Sequence, residues 1–202
     1  MKPLLVLAAF PMVLMGWASC SHSGTGHAAL PDPRAVDKSV PEYKNPFHPS
    51  TYAHFVARKD YRKTYDVYKD DTLLNRQPKK SRKIFVCLDE QRGQYLVDGL
   101  VAMDFPLSSG VKAYPTKTGD YAVISKKEDH TSNLYGKMYD AEGKCINYNA
   151  ESTDPIPEGG RFDGSPMPYW QRLTNAGLGL HVGKVRRHPV SHGCVRLPRN
   201  VA

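Results

Sequence analysis

The sequence predicts a mainly β fold, a sandwich or barrel of short strands joined by long loops with few short helices. Three observations carry it. Sixteen prolines and sixteen glycines punctuate the 202 residues, and both types belong in turns rather than helix interiors. Ile84, Val86 and Leu88 alternate with Phe85 and Cys87, which reads as a strand buried on both faces. Asp98-Gly99 lies between two apolar runs, a strong hairpin signal because such turns need positive φ.

The elements follow in order. Met1-Lys2, the apolar run from Pro3 to Met15 and the small residues after it have the form of a secretory signal over residues 1–20. Two processing outcomes stay open. Gly16-Trp17-Ala18 suits cleavage after Ala18, whereas Ala18-Ser19-Cys20 resembles the end of a bacterial lipoprotein signal with a lipid on Cys20. Either way the protein is expected in the periplasm or cell envelope, touching membrane only through that lipid.

Residues 21–80 form a proline-rich tether and a short pre-domain. Pro31, Pro33, Pro41, Pro46 and Pro49 mark the tether. Tyr52, Phe55, Tyr61, Tyr65 and Tyr68 recur at spacings that fit a short helix or a strand-like segment lying on the core. The main domain is expected over residues 81–202. Its strands are Lys83–Leu88, Gln94–Val97, Leu100 to about Leu107, and Tyr121–Ser125. Polar residues 126–164 read as a long surface excursion. Order resumes at Pro166-Met167-Pro168-Tyr169-Trp170, and Leu178-Gly179-Leu180 leads into His181.

A net charge of +8 draws the chain to polyanions. Without zinc-finger spacing, an RNA-binding signature or a basic helix, that charge does not indicate a nucleic-acid partner. From Arg161 to Ala202 there are seven Lys or Arg residues against one acid, Asp163. This half of the site should attract a substrate with several carboxylates. Of the four cysteines, Cys87 and Cys145 could pair in an oxidising compartment or stand as two free thiols.

The chemistry concentrates in Ser191-His192-Gly193-Cys194-Val195-Arg196. A thiolate attacks acyl carbon where a thiol hardly does, and an unassisted cysteine has a pKa of about 8.5. Cys194 therefore needs a base, and His181 and His192 are the candidates. His181, at a strand end, is favoured as base, leaving His192 as scaffold and contributor to the local potential. Gly193 lets the chain turn sharply, so that successive N–H groups can converge on an oxyanion. Ser191, Arg196 and Tyr169 are assigned to substrate, Arg196 because its planar fork suits a carboxylate. A metal is the competing chemistry, since His181, His188, His192 and Cys194 fall within fourteen residues. Their spacing matches no zinc motif, so no metal is expected.

These residues resemble the L,D-transpeptidase catalytic domain, the YkuD-like family of bacterial wall enzymes. The hallmark is a histidine, a spacer and Ser/Thr-His-Gly-Cys, here His181 and Ser191 to Cys194. Ser108-Ser109-Gly110, Pro115-Thr116-Lys117-Thr118-Gly119-Asp120-Tyr121 and Met167-Pro168-Tyr169 add support. The resemblance implies a closed barrel or sandwich with the cysteine at the end of a cleft. It implies attack by Cys194 on the third-position diamino acid of a peptidoglycan tetrapeptide stem, with release of D-alanine. His181 would take the thiol proton, oriented by the Val182 carbonyl, and the N–H groups of His192, Gly193 and Cys194 would hold the oxyanion. An amine of another stem or of a wall-attached lipoprotein would resolve the thioester, and no cofactor is needed. Two alternatives stand beside this reading. One is an L,D-carboxypeptidase or other cysteine hydrolase of wall peptides on the same fold, and the other a non-catalytic wall-binding lipoprotein.

Overall fold

The computed structural model describes residues 32–39, 42–79 and 81–202. The signal segment, Cys20 and the start of the tether lie outside the described residues. The first ordered element is helix α1 (Tyr52–Ala57), opened by Thr51, whose side chain accepts the His54 N–H. Strand β1 (Tyr68–Lys69) and the single turn α2 (Asp71–Leu74), capped by Asp70, follow. Strands β2 (Arg82–Cys87), β3 (Arg92–Val97) and β4 (Leu100–Pro106) make an antiparallel meander, and β1 adds to it in the order β1-β4-β3-β2. Asp98 and Gly99 take φ values of 52° and 86°, the conformation a tight hairpin demands.

Burial of β2 on both faces does not occur. Ile84 is 37% exposed and Phe85 45%, because β2 ends the sheet order and only its last residue, Cys87, is buried.

The fourth expected strand begins later than its sequence indicates. The chain stays irregular to Ile124, and β5 spans Ser125–Lys127. The segment read as surface loop folds instead into strands β6 (Thr131–Tyr139), β7 (Cys145–Glu151) and β8 (Arg161–Pro166), an antiparallel sheet in the order β7-β6-β8. Among its residues Gly136, Met138 and Ala150 are buried. A sheet with solvent on most of both faces has no apolar alternation to read. Strands β9 (Trp170–Arg172), β10 (Gly179–Val182) and β11 (Val195–Leu197) complete a mixed sheet in the order β11-β10-β9-β5, with β10 and β11 parallel.

The core lies between the meander and this mixed sheet. Met103, Phe105 and Leu107 pack on Leu180, Val195 and Leu197. The sheets do not close into a barrel. Single bridges join them instead, Ser108 to Arg196 and Gly110 to Ser191. Cys87, which is buried, and Cys145, which is half-buried, do not pair with each other.

One polar cluster is sealed inside. Asp104 is fully buried between β3 and β1, and its Oδ1 receives the Nε–H of Arg92 at 2.7 Å. Its Oδ2 accepts the hydroxyls of Tyr52 (2.7 Å) and Tyr61 (2.8 Å). Arg92 is itself 2% exposed, lies over the rings of Phe55 and Tyr61, and donates to the Thr64 carbonyl. The aromatic pre-domain is thus docked on the meander through a buried charge pair. Removing one member strands the other without solvent, at a cost of about 3–5 kcal/mol. Asp104→Ala should lower unfolding stability by about that amount in urea titration, and Tyr61→Phe by about 1.5–3 kcal/mol.

Candidate active site

Parallel pairing of β10 with β11 sets the site. His181 and Arg196 are register partners, so their side chains leave the sheet on one face. Val195 and Leu197 point to the core from the other face. Cys194 immediately precedes β11, two residues from Arg196, and lines the same cleft as His181 and Arg196. This open cleft of about 1030 Å³ has room for a peptide. Lys117, Arg172, Lys184, Arg196 and Arg199 line it, and no Asp or Glu does among the described residues.

His181 is buried, and its Nδ1 lies 2.8 Å from the Val182 carbonyl. A carbonyl only accepts, so Nδ1 carries the proton and Nε2 is left with its lone pair. Burial lowers the imidazole pKa to about 4; the Val182 bond opposes the shift, while the charges of Arg196 and His130 add to it. Burial raises the Cys194 thiol above its ordinary value, against the pull of the Gly179 N–H and the Arg196 charge. Its S–H is directed at the Gly177 carbonyl, 3.4 Å away, rather than at His181. The resting pair is therefore a neutral thiol and a neutral imidazole, not an ion pair.

The turn before Cys194 is held from three sides. Ser191 is buried, donates its hydroxyl to the Cys194 carbonyl and accepts the Gly193 N–H at 3.2 Å. Ser191, assigned to substrate, lines the cleft, and its hydroxyl is engaged inside the turn as donor and acceptor. The Gly193 N–H is spent with it, and this residue's contribution is its φ of 111°, a conformation strained for any side chain. Among the described residues no hydrogen bond engages the Cys194 N–H. The Thr116 hydroxyl donates to the Gly193 carbonyl at 2.6 Å, and its Oγ1 accepts the Gly110 N–H at 2.8 Å. A Cβ on Gly110 would lie 2.8 Å from Gly193 Cα, so the two glycines let the loops touch.

His192 is exposed and stacks on Tyr135 at 4.3 Å between centroids, with Tyr114 at 4.6 Å. It is cleft wall. Tyr169, expected in the cleft, does not line it. It has a φ of 55°, and its ring lies under the guanidinium of Arg199; the neighbouring Trp170 does line the cleft, stacked with His130. His188 is exposed and outside the cleft. No three metal-ligating side chains gather among the described residues.

Sequence reading missed Tyr114, Tyr135, His130 and Arg172. Tyr135 and His130 were hidden in the stretch read as loop. Thr116 stood in a motif whose physical role only the folded chain displays.

Residues 81–202 match the L,D-transpeptidase catalytic domain family, YkuD, and the chain belongs to that family. Among solved structures it is similar to the catalytic domain of the Enterococcus faecium L,D-transpeptidase, at 28% identity over 60% of this chain and 84% of that one, with a TM-score of 0.42. It is similar also to L,D-transpeptidases of Mycobacterium smegmatis (21% identity, 56% and 48% coverage, TM-score 0.41) and Stackebrandtia nassauensis (23%, 62% and 49%, 0.41). The chain spans about half the length of these last two. Among curated proteins none matches.

Two tests address this geometry. With the thiol raised and His181 neutral above about pH 4, iodoacetamide should alkylate Cys194 at pH 7 more slowly than it alkylates free cysteine. The rate should climb through and beyond pH 9, as followed by intact mass. Thr116→Val should lose about 1–3 kcal/mol of stability, with Thr116→Ser near wild type in urea titration.

Proposed function

We propose that the protein is a peptidoglycan L,D-transpeptidase that acts through a Cys194 thioester. The observation that carries this reading is the β10–β11 pairing, which seats His181, with Nε2 unprotonated, and Cys194 on one wall of an acid-free cleft. Substrate enters as a tetrapeptide stem. Rotation of the Cys194 side chain gives up the weak bond to Gly177 and turns Sγ toward the scissile carbonyl of the third-position diamino acid. His181 Nε2 takes the thiol proton as the S–C bond forms. The Cys194 N–H, with that of His192, faces the oxyanion. The C–N bond then breaks, the proton passes from Nε2 to the departing nitrogen, and D-alanine leaves.

An amine of a second stem attacks the thioester and gives its proton to His181 Nε2; the C–S bond breaks, and the proton returns from Nε2 to Cys194 Sγ. Chemistry of this kind needs the active form outside the cytoplasm, in keeping with the export signal. Lipidation of Cys20 or cleavage after Ala18 would fix whether it is anchored.

Low imidazole basicity suits the half of the cycle in which His181 acts as an acid. A base with a pKa near 4 gives its proton readily to the leaving amine. Incubation with a carbapenem should add one drug mass to wild type and none to Cys194→Ala. With muropeptides, wild type should yield stem dimers that Cys194→Ala does not. Trimmed monomers alone would assign the acceptor role to water and make the enzyme a carboxypeptidase.

A further inference from the structure

Arg196 is a cation without an anion. Its guanidinium makes no hydrogen bond or ion pair among the described residues, although it is half-buried and burial lowers its pKa. A half-buried charge left unpaired is a standing cost, and the acid-free cleft offers it no partner from the chain itself. Its side chain is also held in place. A Cβ on Gly183 would lie 3.0 Å from Arg196 Cγ and Cδ, so the stem rests on bare backbone. Gly183 in turn donates its N–H to the Leu197 carbonyl, tying the support to β11.

Position then decides which anion fits. His181 and Arg196 are register partners on adjacent strands, about 4.8 Å apart. Cys194 is two residues back along the chain, about 6.6 Å away. In the proposed reaction His181 must stand beside the departing nitrogen to protonate it. The carboxyl carbon of the departing amino acid is one residue beyond the scissile carbonyl, about 4 Å on. An amino acid leaving past His181 brings that group to Arg196. Arg172, the other buried cation of this face, has an unpartnered Nε but sits across Gly179 on β9, two strands from Cys194.

We infer that Arg196 is the receptor for the free carboxylate of the leaving amino acid. This rests on the thioester reading above. It also gives the cation a purpose beside a base that it weakens. A carboxylate docked on Arg196 neutralises the charge next to His181 and raises the proton affinity of Nε2 as substrate arrives. An empty site keeps a poor base, and a filled one improves it.

The test uses three synthetic tetrapeptide donors on one scaffold: the free acid, its C-terminal carboxamide, and a free acid with the side-chain carboxylate of the diamino acid amidated. Thioester formation is followed by intact mass in single turnover. Wild type should acylate from the free acid about tenfold to a hundredfold faster than from the C-terminal carboxamide, the range for a charge-assisted bond. In Arg196→Gln that ratio should fall to near one, and Arg196→Lys should restore part of it. Arg172→Gln should keep the ratio. Because each ratio is internal to one preparation, an unfolded fraction cancels. Equal slowing of both donors by Arg196→Gln overturns the proposal. So does loss of discrimination against the side-chain amide instead, or collapse of the terminal ratio in Arg172→Gln. Failure of every donor to acylate wild type overturns the thioester reading, and the proposal with it.

Discussion

The chain from Ser108 to Gly110 is the constraint on which the site depends. Coming off β4, it bonds through Ser108 to Arg196 in both directions, and through Ser109 and Val111 to Val190 and Ser191. It thereby crosses from the core of one sheet to the nucleophile's turn in another. Ser108 Oγ also accepts the Arg186 N–H, so the loop between base and nucleophile is pinned from the same segment. Gln91, buried on the meander, accepts the Ser109 N–H and donates to its hydroxyl. Position at the thiol is thus inherited from the best-buried part of the molecule. A site with tolerances of about 0.5 Å needs that sort of backing.

How much of this was legible depended on whether residues act locally. The Asp98-Gly99 hairpin and its flanking strands could be read because turn chemistry and apolar runs are short-range signals. That Cys194 and His181 share one cleft, with the Val182 carbonyl on the ring of His181, could be read from one motif and its resemblance to a family. Strands β6 to β8 could not, since their faces meet solvent and their polar sequence carries no period of two. Tyr135 vanished with them, although it is the ring on which His192 stacks. Ser191 and Gly193 were placed at the turn that carries Cys194, but the bonds that tie them within it were not legible. Sequence identifies polar groups near a nucleophile, whereas only coordinates tell whether their donors are already engaged.

The electrostatics of the site run against a common picture of activated cysteines. A thiolate–imidazolium pair is stabilised by solvent access and nearby cations, whereas here burial acts on both groups toward neutrality. Reactivity then comes with substrate rather than standing ready beforehand. A protonated sulfur is also the form less vulnerable to oxidants, because oxidation follows thiolate character.

The carboxylate hidden beneath the aromatic rings has a consequence for where this protein begins as a physical object. Family resemblance starts at residue 81, yet Tyr52 and Tyr61 supply two of the hydroxyls on Asp104, and the ring of Phe55 lies beside Arg92. A fragment cut at the family boundary would open that anion to water on one side and bare the apolar underside of the meander. The unit that evolution repeats and the unit that folds are different lengths of chain, and the shorter one is missing its floor.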